Sequence, residues 1–397
     1  MDKDDPGGAK YFFNGLIHRC QDNKAVEAFL DGGYPLDLTD LNNNTHLMLA
    51  SNSGCYGSAK LFVERGADVD ARQIDGWTPL LLATKSMPTP LRWEWPYSMG
   101  INPKGVWQLP KDFDTSQKPE IAKLLIEHTR NIDQRGQKGE TPLMLACESG
   151  YSEVAALLLQ KGADTEASDY GLGWTPLMWA CFKDRLEIVQ LLIEKGADVN
   201  AVGFKNGYSP LMVASLKGST RISQLLLSSG ANINIKSKKG VTALALAANT
   251  DNSQLFELLV ANGAEITRIN DDPYINAKLF FHAAQSTNEH LQESSKHYYQ
   301  IAADSFLEAH DEIKSVYDEL REVKLKKKIE QFWLGFAHVL GNLVANVTVM
   351  NVFDTNTFYV SSPAKMDLSS IDKALEKCRK KMDECEKYRQ QCLKRLD

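Results

Sequence analysis

The stretch Thr175-Pro176-Leu177, followed about twenty residues on by Gly196-Ala197-Asp198, decides how this chain folds. Threonine before proline starts a helix. Its hydroxyl caps a free N–H, and proline at the first helical position has no N–H to leave unpaired. Leu177, Met178, Ala180 and Cys181 then form a short helix, with small residues where a neighbour packs close. Ile188, Leu191 and Leu192 give a second helix its apolar face. Gly196 ends that helix, because glycine adopts the left-handed conformation at low cost. The Ala-Asp-Val-Asn run after it turns the chain back.

The same phrases recur along the chain. Thr45-His46-Leu47, Thr78-Pro79-Leu80, Thr141-Pro142-Leu143, Thr175-Pro176-Leu177, Ser209-Pro210-Leu211 and Thr242-Ala243-Leu244 are separated by 33, 63, 34, 34 and 33 residues. The interval of 63 is one period plus an insertion. Gly66-Ala67-Asp68, Gly162-Ala163-Asp164, Gly196-Ala197-Asp198, Gly230-Ala231-Asn232 and Gly263-Ala264-Glu265 keep the same beat. A fixed period of this length marks stacked helical units that bury their faces only against one another.

Helix, turn, helix and hairpin loop at a period of 33 resembles the ankyrin repeat. The resemblance covers residues 15–267 in about seven units, the first a capping-like unit at Gly15–Leu38 that ends in Gly33. It implies an all-α solenoid over residues 1–270 that binds a protein or peptide on its concave face. Three departures stand out. His46 replaces a proline, Thr129 stands in place of a terminating glycine, and the histidine that usually follows Thr-Pro-Leu is Met48, Leu81, Met144, Met178, Met212 or Ala245. An apolar contact is expected where that histidine would tie repeats together.

The register of such arrays places the hairpin tips and the open side of each first helix in the groove. The candidate partner-binding residues are then Trp77, Tyr170, Leu172, Trp174, Phe182, Phe204, Lys205, Tyr208, Leu216 and Lys238, an aromatic middle with a lysine margin. Lys183, Lys217, Lys239, Val241 and Asn249 map nearby. Aromatic anchors inside a charged rim are how interfaces concentrate binding energy. The alternative is that Trp174 and Tyr208 pack sideways on neighbouring hairpins.

An insertion at about 86–118 interrupts the third unit. Its prolines, from Pro88 to Pro110, forbid a regular helix, while Trp93, Trp95, Tyr97 and Trp107 make it too apolar for a free linker. Two readings stand side by side, a flap packed on the solenoid and a loop that contacts a partner.

The beat stops after Thr267, and residues 274–397 read as a helical module. From Asn276 to about Glu330 no glycine or proline interrupts, which predicts helix throughout, a single one of about 80 Å unless it breaks. Ile371, Leu375, Cys378, Met382, Cys385, Cys392 and Leu396 make a coiled-coil seam on a second helix from about Leu368 to Leu396. The seam fits an antiparallel pair within the chain or a homo-oligomeric stalk. Between the two helices, residues 331–353 carry no charged side chain. With Lys324, Lys326, Lys327 and Lys328 ahead of Phe332, Trp333 and Phe336, the segment suits a membrane surface. His338, Asn342, Asn346 and Asn351 oppose that reading, and a buried core segment or a hairpin turning at 354–356 are the alternatives.

No catalytic spacing appears. There is no phosphate-binding glycine loop, His-Glu-x-x-His, Gly-x-Ser-x-Gly or Cys-x-x-Cys. Cys378, Cys385 and Cys392 are about 10 Å apart along their helix, too far to share one metal ion. No cofactor or metal is expected. The 397 residues carry a net charge of −6, which disfavours a nucleic-acid partner. Seven scattered cysteines and an acidic start without an apolar run predict a cytoplasmic chain with reduced thiols. The expected function is a non-enzymatic scaffold or adaptor. A membrane-associated effector secreted into host cells and an enzyme with a helical C-terminal module are the alternatives.

Overall fold

The structure, a computed structural model, describes residues 23–39, 42–86, 115–250, 252–267, 273–286, 292–339 and 368–396. Every regular element among them is a helix. The chain divides into two compact units, Met1–Lys238 with Ala261–Gly263, and Lys239–Val260 with Ala264–Asp397. The seventh repeat's helices therefore group with the C-terminal helices, whereas the repeat beat runs on to 267.

Among the described residues the first unit begins with α1 (Asn23–Asp31). Five helix pairs follow: α2 (His46–Ser53) and α3 (Tyr56–Glu64), α4 (Pro79–Thr84) and α5 (Lys118–His128), α6 (Pro142–Ser149) and α7 (Ser152–Gln160), α8 (Pro176–Phe182) and α9 (Leu186–Glu194), α10 (Pro210–Lys217) and α11 (Thr220–Ser228). First helices stack on first helices and second on second. Thr45, Thr78, Thr141, Thr175 and Ser209 each cap their helix, the hydroxyl accepting the N–H three residues on at 3.3–3.5 Å. The apolar run behind each cap is buried, as in Leu80, Leu81, Leu82 and Ala83. Each such leucine contributes about 1.5–3 kcal/mol through burial.

The position after Thr-Pro-Leu is apolar and buried throughout the unit, at Met48, Leu81, Met144, Met178 and Met212. The polar tie between repeats runs elsewhere, through pairs of acidic or amide residues just after each second helix. The Asp133 carboxylate accepts the Asp164 N–H at 3.0 Å, Glu166 accepts Asp198 N–H at 3.0 Å, and Asn200 accepts Asn232 N–H at 2.7 Å. Within each repeat the first member of the pair accepts the N–H of the second, as Asp198 does from Asn200 at 2.8 Å. Thr129, which lacks the glycine's left-handed turn, leaves its helix with φ −71° and donates its hydroxyl to Asp70 at 2.5 Å. His46 is buried, its ring 5.6 Å from Tyr34 and 6.1 Å from Phe62.

The insertion's two ends are tied together. Lys118, fully buried at the start of α5, donates from Nζ to the Lys85 carbonyl at 2.7 Å. The Ser149 hydroxyl accepts from Ser86 N–H at 2.8 Å and donates to the Thr84 carbonyl at 2.9 Å. Residues 87–114, with Trp93, Trp95, Tyr97 and Trp107, lie outside the described residues. Cys147 and Cys181 are free and buried in first helices. Cys55 is disulfide-bonded, against the expectation of reduced thiols throughout.

The second unit holds α12 (Ala243–Asn249), α13 (Ser253–Ala261) but for its last residue, α14 (Pro273–Ser286), α15 (Gln292–Val339) and α16 (Leu368–Leu396). The expected single helix from Asn276 to Glu330 is two helices. Phe280 stacks on Tyr298 with ring centres 6.0 Å apart. Eighteen residues of one continuous helix would hold those rings about 27 Å apart, so α14 folds back on α15. Packing of α14 on α12, and of His282 against Phe256 at 5.6 Å, selects that bend. α15 and α16 run antiparallel: Lys324 pairs with Asp372 near one end, and Phe306 stacks on Tyr388 toward the other at 5.4 Å and 8°. Ile371, Cys378, Cys385 and Cys392 are all buried in this core. The seam read as a possible stalk is therefore covered by the chain's own helices. Lys278, almost wholly buried, pairs with Glu384 at 3.1 Å and lies over the Tyr388 ring at 5.2 Å.

No helix of the described residues is long and apolar enough to cross a membrane. Phe332, Trp333 and Phe336 fall on the last turns of α15. Their side chains, those of Lys326, Lys327 and Lys328, and residues 340–353 lie outside the described residues.

Burial, with a smaller push from Lys85, lowers Lys118 to about 7 from an ordinary 10.5. Between those values the unfolded chain holds a proton that the folded chain has shed, so stability rises with pH across that window and the penalty is full below it. Urea midpoints taken from about pH 7 to pH 9 should climb in the intact chain. In Lys118→Met the climb should be shallower, and equal slopes would refute the assignment.

Candidate partner-binding surface

The hairpin loops between repeats form a ladder of fingers. Ile74 N–H donates to the Asn42 carbonyl at 3.0 Å, Tyr170 to Lys138 at 2.7 Å, Lys205 to Leu172 at 3.2 Å and Lys238 to Asn206 at 3.1 Å. Each tip is thus hung on the finger before it. Tyr170 and Phe204 lie over glycines of the preceding finger. A Cβ at Gly139 would stand 2.7 Å from the Tyr170 ring, and one at Gly173 would stand 2.1 Å from Phe204. These two rings and Ile74 remain 61%, 53% and 67% exposed.

Asp169 builds the centre of the surface. Its buried carboxylate accepts the N–H groups of Gly171 and Leu172 at 2.7 Å and of Trp174 at 2.9 Å. It also accepts the Trp179 indole Nε1–H at 3.2 Å. One side chain therefore fixes the shape of the finger and the pose of an indole on α8. Charge-assisted bonds of this kind are the stronger ones. Trp179 and Phe182 then close on Trp174, with ring centres 5.2 and 5.3 Å from it and 6.2 Å from each other. Trp174 is buried beneath, and its Nε1–H has no acceptor among the described residues. Trp179 and Phe182 are half-buried, so each keeps part of its surface open to solvent. Lys183 Nζ lies 5.7 Å and Lys217 Nζ 4.9 Å from the Phe182 ring centre, and Lys183 also pairs with Glu148 at 3.0 Å.

The structure sorts the candidate residues. Phe182, Leu172, Tyr208 and Leu216 are half-buried, and Tyr170, Phe204, Lys205 and Lys238 are exposed. Two expected anchors are corrected. Trp174 and Trp77 are only 4% and 8% exposed. Each follows a glycine in the left-handed region, Gly173 at φ 74° and Gly76 at φ 81°, and that turn sends the next side chain inward. Trp77 is in addition covered by Lys85 at 5.0 Å. Val241 is buried likewise, in the second unit, after Gly240. Trp179 and Asp169 escaped the reading. Trp179 sits on the core phase, at the position held by Leu49, Leu82, Leu145 and Val213 in the other repeats of this unit. A tryptophan is too large for that slot, and its size was the available signal.

The comparisons agree with this architecture. The family model described as Ankyrin repeats (3 copies) matches residues 115–203 and 202–270. The chain carries ankyrin repeats. The ankyrin repeat and KH domain-containing protein mask-1 of Caenorhabditis elegans is 30% identical over 148 residues, 33% of this chain and 5% of that protein. Human protein phosphatase 1 regulatory subunit 27 is 38% identical over 69 residues, 17% of this chain and 44% of that protein. The chain thus spans less than half of either relative. The crystal structure of the human ASB11 ankyrin repeat domain superposes with a TM-score of 0.50 at 22% identity, covering 64% of this chain and 98% of that one, which is a likeness of fold.

Asp169→Ala removes an acceptor shared by four N–H groups. It should cost about 2–4 kcal/mol of stability in urea unfolding, and the near-ultraviolet circular dichroism of the tryptophans should weaken. A change under about 0.5 kcal/mol, the range of ordinary surface substitutions, would mean the finger holds its shape without the carboxylate.

Proposed function

We propose that this chain is a non-enzymatic adaptor that holds a protein or peptide partner on the face built by Trp179, Phe182 and the neighbouring fingers. Ankyrin repeats are protein-interaction modules, and the observation that carries the placement is the half-open aromatic pair above Trp174, locked by Asp169. The buried carboxylate that shapes the finger through three backbone N–H groups also fixes the pose of the half-buried Trp179 indole. This pre-organises a hot spot, which lowers the ordering cost of binding. The exposed rings of Tyr170 and Phe204 extend the same face.

The nucleophile candidates support the non-enzymatic reading. Burial pushes the thiols of Cys147 and Cys181 well above their ordinary range, and those of Cys385 and Cys392 up to about 12. Such thiols stay protonated and inert. His282 lies between the rings of Phe256 and Phe281. The relative whose name makes it a regulatory subunit of a phosphatase favours a module that acts by binding. We take the repeats to about residue 270 as the binding part and residues 274–397 as a helical support.

The test is chemical cross-linking and capture from lysate with the intact chain and with Trp179→Ala/Phe182→Ala, after matching their circular dichroism and unfolding midpoints. Partners held by the intact chain should be depleted about tenfold or more with the double variant, the loss expected from two hot-spot residues. Undiminished capture would move the binding site off this face.

A further inference from the structure

We propose that the partner is an acidic polypeptide segment with an apolar anchor, one of its carboxylates seated between Lys183 and Lys217 at the edge of the Phe182 ring. This rests on the concave-face reading above and names the chemistry that face selects. Both ammonium groups stand within 5.7 Å of the centre of one ring. One of them is answered, by Glu148 at 3.0 Å. Among the described residues Lys217 has no carboxylate partner, and neither have the exposed fingertip lysines Lys205 and Lys238. Two like charges crowded on one half-buried ring with a single counterion form a site that gains by taking up an anion.

The rest of the chain sharpens the contrast. The net charge is −6, yet among the described residues Glu148 is the one carboxylate paired with the lysines around Phe182. On the second helices Glu120 and Glu153 pair with Lys123, and Glu127 with Lys161. Those acids are answered by Lys123 and Lys161, whereas the two lysines around Phe182 have one paired carboxylate between them. That pattern steers an acidic partner to this face and turns basic ones away.

Repeat geometry sets the spacing. Lys183 and Lys217 occupy the same register, eight residues after the caps Thr175 and Ser209. Their helices α8 and α10 pack on each other. Packed helices lie about 8–10 Å apart, and an extended chain in the polyproline II conformation advances about 3.1 Å per residue and returns its side chains to the same side every third residue. Acidic residues at about every third position of an extended segment therefore meet lysines of successive repeats. The buried Trp174 Nε1–H, which has no acceptor among the described residues, is a further donor beside this site. Glu148 within the cluster and the apolar edges of Trp179 and Phe182 favour a polypeptide over a polyphosphate backbone.

The experiment titrates the intact chain with a tryptophan-free peptide that carries Glu at every third position and leucines between. The same peptide with Gln for Glu, the same with Lys for Glu, and an oligothymidylate are run beside it, with tryptophan fluorescence as the readout. The Glu peptide should bind about tenfold or more tightly than the Gln peptide at low salt, the gap narrowing as salt is raised. Lys183→Glu/Lys217→Glu, checked for fold, should transfer the preference to the Lys peptide. Equal affinity for Glu and Gln peptides, no binding of the Glu peptide, oligothymidylate binding as tight as the Glu peptide, or charge reversal without effect would each overturn the proposal. Trp179→Ala/Phe182→Ala separates the two levels. If Glu and Gln peptides bind equally and both are lost in that variant, the face stands and the acidic partner falls. If the Glu peptide binds that variant undiminished, the face itself falls.

Discussion

Everything in the first unit hangs on a relay of hydrogen bonds between consecutive hairpins. Asp133, Glu166 and Asn200 each reach across to the backbone of the next repeat. Helix caps and buried leucines make each repeat a well-formed piece, but pieces packed only through oily faces can slide. A carboxylate or amide oxygen that must meet one particular N–H fixes the offset between neighbours. Each bond is worth about 1 kcal/mol net, and its larger effect is on register. Once register is fixed, the fingertip ladder from Asn42 to Lys238 follows, and residues far apart in sequence converge on one face.

The aromatic face shows how a repeat protein acquires individuality. The stack is generic, and most of its positions are interchangeable between repeats. Asp169 and Trp179 are a paired departure from that pattern, one in the finger and one on the helix, meaningful only because register brings them together. Phe204 over Gly173 and Tyr170 over Gly139 use the same logic, since the absence of a side chain in one finger makes room for a ring from the next.

How much of this was legible follows from range. Caps, helix-ending glycines and the period are local and were read directly from Thr-Pro-Leu and Gly-Ala-Asp. The inward turn of Trp174 was written in the preceding glycine, but only the backbone angle at Gly173 makes it decisive. The Asp169 clamp was not legible, because neither residue announces its partner across ten positions. The bend between α14 and α15 was hidden for a similar reason. No proline or glycine marks it, and it is selected by Phe280 and Phe281 meeting Tyr298, Tyr299 and Phe306. The cysteine seam was correctly apolar, yet its partner was a matter of topology, which heptads leave open.

The closed root of the insertion bears on how this gene can change. Lys118 and the Ser149 hydroxyl bind the Lys85 and Thr84 carbonyls, so the two ends of the third repeat that flank the insertion are held together by the repeats themselves. Loop length at such a root carries only a logarithmic entropic cost. The position is therefore a socket, where segments of quite different length and composition can be exchanged over generations while the solenoid underneath keeps its pitch.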